Sequence, residues 1–124
     1  MDLFTLQNMK TEHPSNENFM LHTHDNYEIF LFLEGNATYI VEGKNYTLQP
    51  YDIIIIRKHE FHRIYHNSSC LYKRIVLNIN PEFFKKYHCE EYEKQFLNTS
   101  DSIDNKISAE VVQRSGIYDA VIRL

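Results

Sequence analysis

Between residues 18 and 80 the apolar positions come in short runs, none long enough to make a helix of ordinary length. They fall at residues 19–21, 27–33, 37–41, 46–48, 53–56, 63–65 and 72–79. Turn-forming residues separate them: Asp25-Asn26, Glu34-Gly35-Asn36, Glu42-Gly43-Lys44, Gln49-Pro50-Tyr51-Asp52, Asn67-Ser68-Ser69 and Asn80-Pro81. Short runs at such spacing predict seven or eight strands in an all-β sandwich or barrel. Several runs are apolar on both parities. Tyr27, Ile29, Leu31 and Leu33 point one way along a strand and Phe30 and Phe32 the other, the pattern of a sheet covered on both faces.

The flanks differ. Residues 1–16 are polar after Leu3-Phe4-Thr5-Leu6 and break at Pro14-Ser15-Asn16, which predicts an arm with one short strand. At Pro81 the period changes: Pro81-Glu82-Phe83-Phe84-Lys85-Lys86 has proline and acid at a helix start and bases at its end. A second helix is expected over 91–97, then a polar connector over 99–106 and a last amphipathic helix with Ser108 as its N-cap. That helix carries Val111, Ile117, Tyr118, Val121, Ile122 and Leu124 in helical register, and the chain stops on an apolar residue inside the stripe. The expectation is that the polypeptide continues or that a partner chain completes the helix. The division that follows is an arm at 1–16, a β-barrel at 17–80 and a helical tail at 81–124.

Composition narrows the function classes. The 124 residues fit one domain of the usual roughly 100–200. Thirteen Lys and Arg against seventeen Asp and Glu give a formal charge of −4 and a pI near 5.9, which argues against nucleic-acid binding by this chain itself. The longest apolar runs, 29–33 and 53–56, fall far short of the roughly 20 residues of a transmembrane helix, and no basic segment followed by an apolar one opens the chain. Cys70 and Cys89 are expected as free thiols, and a cytoplasmic location is the expectation.

The candidate chemistry sits in His22-Thr23-His24-Asp25-Asn26-Tyr27-Glu28. His22 and His24 are two apart, so on an extended strand both imidazoles face one side. Glu28 also lies at even separation, and His62 arrives after the 53–56 strand. Three imidazoles and a carboxylate suit a first-row ion such as zinc, nickel, iron or manganese. Tyr27, Tyr39, Tyr46 and Tyr65 lie on expected strands, where an aromatic plane beside a hydroxyl suits a small-molecule pocket as well as a core. Arg74 either meets an anionic ligand or neutralises Glu28 or Glu42. His66 shares the parity of His62, but a solvated loop position is expected for it, and surface positions for His13 and His88.

The spacing HxH-x3-E-x6-G, met at His22, His24, Glu28 and Gly35, resembles the first motif of the cupin superfamily. The second cupin motif is met in part: Gly43, Pro50, Asp52 and His62 keep its order, Tyr51 stands where a turn glycine is usual, and His62 comes later than in metalloenzyme cupins. Tyr46-Thr47-Leu48-Gln49-Pro50-Tyr51-Asp52-Ile53 and Tyr72-Lys73-Arg74-Ile75-Val76, with His62 between, resemble the N-terminal ligand-sensing domain of AraC-type transcriptional regulators. The resemblance covers about residues 18–85.

It implies a mainly β fold, a cupin-type double-stranded β-helix (jelly-roll barrel) followed by C-terminal helices. It further implies a small-molecule effector, a sugar or other metabolite, bound by His22, His24, Glu28, Tyr39, His62 and Arg74. The metal set His22, His24, Glu28 and His62 either holds a divalent ion or lines the pocket without one. The resemblance implies a homodimer through the last helix, by Ile117, Tyr118, Val121, Ile122 and Leu124, and DNA binding only through a C-terminal helix-turn-helix domain that this chain lacks. The other function class is a small metal-dependent cupin enzyme, an isomerase or dioxygenase, using the same three histidines and Glu28. A third reading is a stand-alone metabolite-binding cupin.

Overall fold

The computed structural model describes residues 3–97 and 104–115. Strands β1 (Phe4–Thr11), β2 (Tyr27–Glu34), β3 (Ala37–Val41), β4 (Lys44–Thr47), β5 (Ile53–Ile56), β6 (His62–His66), β7 (Tyr72–Ile79) and β8 (Lys106–Ile107) form two antiparallel sheets. The larger has the order β1-β7-β2-β5-β8 and the smaller β4-β3-β6. Helices α1 (Glu82–Lys86), α2 (Glu90–Leu97) and α3 (Ala109–Ser115) complete the described chain. The fold is the expected mainly β cupin-type jelly roll, followed by short helices.

The register explains the double apolar parity of β2. Phe30 stands opposite Ile54 on one side and Val76 on the other, and Glu28 stands opposite Ile56 and Asn78. These even positions face the smaller sheet, where Phe30, Phe32, Ile54, Ile56, Tyr72 and Val76 pack with Ala37, Tyr39, Val41 and Ile64. The odd positions face outward and are covered by the helices: Leu31, Ile53 and Ile75 by Val112 of α3, and Tyr27 and Ile79 by Phe84 of α1. Both faces are dry. Each such side chain contributes on the order of 1.5–3 kcal/mol by leaving water.

Two backbone positions explain the motif residues. Gly35 has φ +146°, and a Cβ there would stand 3.1 Å from the Phe32 ring, so the turn after β2 calls for glycine. Tyr51 occupies the left-handed region at φ +76°, which accounts for the glycine usual in that turn. The buried Asp52 holds the turn together. Its carboxylate accepts from Gln49 N at 2.8 Å and from Ala109 N, the first residue of α3, at 2.7 Å, and pairs with Lys106 Nζ at 3.4 Å. The barrel thus supplies an acceptor at the start of α3, where the sequence placed only Ser108.

Three elements depart from expectation. The strand in the arm runs the whole length of β7, from Phe4 opposite Ile79 to Thr11 opposite Tyr72. Most of its positions are exposed, and after Phe4 and Leu6 its residues are polar apart from Met9, so no sustained apolar alternation announces it. Residues 19–21 form no strand; a short 3-10 helix at Asn16–Asn18 precedes them, and only His22 pairs, in a bridge to His62. Lys106–Ile107, within and just beyond the expected connector, pairs with β5. The apolar rows at Ile117, Tyr118, Val121, Ile122 and Leu124 lie outside the described residues.

Candidate metal and ligand site

A backbone bridge sets the site. His22 N donates to His62 O at 3.0 Å and His62 N returns the bond to His22 O at 2.9 Å, which ties the loop before β2 to the start of β6. His24 O accepts from His59 N at 2.9 Å, and His59 Nε2 reaches Asp25 Oδ1 at 2.7 Å. The loop is held at both ends. The imidazoles of His22 and His62 lie 4.1 Å apart between centroids, and those of His24 and His62 4.8 Å. One ring nitrogen from each of the three lies within 4.8 Å of the others.

Which nitrogen is free follows from the hydrogen bonds. His22 Nδ1 meets Met20 O at 2.9 Å, His24 Nδ1 meets Asn26 O at 2.9 Å and His62 Nδ1 meets Glu60 O at 2.8 Å. A carbonyl only accepts, so each Nδ1 carries a proton. The neutral ring of His22 or His62 then keeps its lone pair on Nε2, whereas His24 Nε2 faces the Glu28 carboxylate and offers its lone pair only in the neutral ring. A backbone carbonyl behind each ring is the arrangement that orients a metal-bound histidine. His62 Nε2 is buried and has no hydrogen-bond partner. Glu28 Oε1 lies 3.3 Å from His24 Nε2 and 4.0 Å from His62 Nε2, and its Oε2 accepts from Tyr39 OH at 3.3 Å. The hydrogen bond to Glu28 raises the His24 pKa above its usual value. Burial lowers that of His62, which keeps it a neutral donor. Burial, and then the Glu28 charge, push the Tyr39 hydroxyl well above its ordinary range. The donor set fits a divalent ion: three neighbouring imidazole nitrogens, one of them orphaned, beside one carboxylate.

A cavity of about 230 Å³ adjoins this cluster. His22, Glu28, Tyr39 and Arg74 line it, four of the six residues expected to bind a ligand. His24 and His62 belong to the imidazole cluster that shares Glu28. Met9, Phe19, Met20 and Tyr72 also line the cavity and were not anticipated. Met9 sits on the hidden edge strand. Tyr72 opens the β7 motif, and only that position could have signalled it.

Other sequence readings sort cleanly. His66 is a correction: it is buried rather than solvated, its ring 4.6 Å from Phe19 and 4.5 Å from Tyr72, and its Nε2 has no partner. It ends β6, and the loop expected for it begins one residue later. Burial, and then the Arg74 charge, lower its pKa. Arg74 pairs with neither Glu28 nor Glu42; Nη1 donates to Thr11 Oγ1 at 2.8 Å. Tyr27 is on the outer face with its hydroxyl on Glu93 at 2.7 Å, Tyr46 bonds Asn105, and Tyr65 is exposed. Both cysteines are free.

Solved structures with this fold include proteins of several kinds. A predicted oxalate decarboxylase from Thermotoga maritima superposes with a TM-score of 0.53 at 22% identity, over 60% of this chain and 64% of its own. A salicylate 1,2-dioxygenase from Pseudaminobacter salicylatoxidans gives 0.57 at 12% identity, over 70% and 24%. Rru_A2000 from Rhodospirillum rubrum, a cupin-2 domain, gives 0.51 at 15% identity, over 62% and 51%. The chain spans less than two thirds of each of these proteins, and at such identities the likeness is one of fold. No curated protein matches the sequence. The AraC-like ligand binding domain matches residues 9–115, from within β1 through α3, and the chain belongs to that family.

Proposed function

We propose that this chain is the effector-sensing and dimerisation domain of an AraC-type transcriptional regulator, with a small metabolite bound in the barrel. The observation that carries the reading is the cavity lined by His22, Glu28, Tyr39 and Arg74 inside a member of a ligand-binding family. The ligand stabilises one arrangement of barrel and helices over another and so biases DNA binding by a helix-turn-helix domain elsewhere in the full protein. The apolar rows at Ile117, Tyr118, Val121, Ile122 and Leu124 form the homodimer contact in this reading. A cytoplasmic regulator fits a chain in which no described helix is long and apolar enough to cross a membrane. Thermal-shift screening of sugars, amino acids and organic acids tests the sensing step. At least one compound is expected to raise Tm in the wild type and to lose that effect in Tyr39→Ala. An open reading frame without a helix-turn-helix on either side of this domain would defeat the regulatory part.

A second reading has its own support. His22, His24, Glu28 and His62 offer the donors of a metal-dependent cupin enzyme, and two of the proteins sharing the fold carry enzyme names. A bound divalent ion would supply Lewis-acid polarisation of a ligand oxygen. In this chain the three carbonyl-held histidines would orient their Nε2 atoms toward the ion, and Tyr39 would hold the Glu28 carboxylate. Elemental analysis after zinc, nickel, iron or manganese loading decides whether the set takes an ion. Turnover of an organic acid or sugar that is lost with His62→Ala would favour the enzyme over the sensor.

A further inference from the structure

Two charged side chains line the cavity, and the structure treats them differently. Glu28 and Phe32 stand opposite Asn78 and Arg74 in the β2–β7 register. Arg74 is therefore displaced from Glu28 by four residues along the strands, about 13 Å of backbone. The Glu28 carboxylate is answered where it sits, by His24 Nε2 and Tyr39 OH, both at 3.3 Å. The Arg74 guanidinium is not answered by any acid. Among the described residues no carboxylate lies within 4.0 Å of it.

What holds Arg74 instead is a neutral cradle. One N–H goes to Thr11 Oγ1 at 2.8 Å, and the guanidinium lies 4.3 Å from the Tyr72 ring centroid and 5.9 Å from that of Phe19. A guanidinium has five N–H donors in a planar fork, so several remain for another partner. Burial lowers its pKa, yet an arginine stays charged in a protein. A half-buried cation without a counter-ion is costly, and the planar fork matches a carboxylate in two parallel bonds. The rest of the wall is mainly apolar, with Met9, Phe30, Ile64 and Val76. The volume of about 230 Å³ is below the roughly 300–1,000 Å³ of drug-sized sites.

We infer that the ligand of this cavity is a small carboxylate with an apolar or aromatic body, its carboxylate on Arg74 and its body across Phe30, Ile64 and Val76. The inference rests on the reading that the barrel binds an effector and adds the chemical class of that effector. A neutral sugar would leave the guanidinium unmatched and set its hydroxyls against apolar side chains. The far end of such an acid would face the pole formed by Glu28, Tyr39 and His22.

Calorimetry with matched pairs tests this: benzoate against benzamide and hexanoate against hexanamide, each measured with EDTA and again with zinc. The wild type is expected to bind each acid at least about tenfold more tightly than its amide, in both buffers. In Arg74→Met the preference falls to within about threefold while the amides still bind, and Arg74→Lys keeps an intermediate preference. Should Arg74→Met fail to fold by circular dichroism, the wild-type ratio and Arg74→Lys carry the test. Equal binding of acid and amide by the wild type overturns the inference, as does a preference that survives in Arg74→Met. A preference seen only with zinc overturns it as well, because the anion then sits on the metal. Stabilisation by a panel of neutral sugars and polyols but by neither acid also overturns it, while the effector-binding reading stands. Silence across both panels overturns the two together.

Discussion

The two faces of the five-stranded sheet divide the work of the molecule, and neighbouring residues of β2 belong to opposite sides of that division. On the outer face Tyr27, Ile29, Leu31, Ile53, Ile75 and Ile79 meet Val112, Phe83 and Phe84, and their contacts are those of packing apart from the Tyr27 hydroxyl on Glu93. On the inner face Glu28 carries a buried charge beside His24, His62 and Tyr39, and Arg74 carries a half-buried one. A face closed by helices can be almost wholly apolar because nothing has to enter it. A face that borders a cavity keeps polar groups at a cost in desolvation, and here those groups converge on the cavity and the imidazole cluster. Both parities of β2 therefore contribute to packing, the even ones through Phe30 and Phe32, but candidate chemistry belongs to the even positions alone.

The sharpest way to break that comparison is to remove a donor from the inner face. His62→Ala is expected to weaken zinc binding by at least about 100-fold by calorimetry, whereas Leu31→Ala, if still folded, leaves zinc affinity within about threefold. Unchanged affinity in His62→Ala would sink the proposed donor set. On the outer face Leu31, 1% exposed, is expected to cost about 2–5 kcal/mol on truncation to alanine, read from urea unfolding. A loss below about 1 kcal/mol would mean that the helices do not seal this face. A smaller effect is expected at the seam between barrel and α3: Asp52→Asn removes the charge that meets Ala109 N and Lys106 and should cost about 1–3 kcal/mol.

The smallest of these effects concerns pH. The His66 pKa is lowered in the folded chain, chiefly by burial, so below the usual value of 6.5 the unfolded chain takes up a proton that the folded one resists. Stability is then lost as pH falls from 6.5 through the folded pKa. His62, also lowered, acts in the same direction. His24, raised, acts oppositely: its contribution is present below 6.5 and lost as pH rises through its folded pKa. His66→Phe should flatten the acid limb of the stability profile relative to the wild type, measured by urea unfolding between pH 7.5 and 5. A profile of identical slope would show that the ring is not shielded as the structure has it.

Much of the barrel was legible in the chain because a strand buried on both faces and closed by Gly, Asn, Asp or Pro leaves a local pattern. The runs at 27–33, 37–41, 53–56 and 72–79 appear nearly where expected. The HxH-x3-E spacing placed His22, His24 and Glu28, and His62 joined them through the backbone bridge to His22. What escaped notice lacked such a pattern. Strand β1 is mostly exposed and, after Phe4 and Leu6, mostly polar, so its pairing with β7 is visible only once β7 exists. His66 looked like a loop residue because Asn67-Ser68-Ser69 follows it, yet β6 extends one residue further and turns its ring inward against Phe19 and Tyr72.

By itself the sequence determined the β class, the cupin likeness and the identity of the donors, because side-chain alternation and turn chemistry are local and a motif is read at fixed spacing. Only the tertiary structure decided that each Nδ1 carries a proton, since that depends on carbonyls that the fold brings behind each histidine. It also decided the partners of Arg74. Three of its possible neighbours, Glu28, Glu42 and Thr11, are far from it in sequence, and pairing between β1 and β7 gave it the hydroxyl and neither acid.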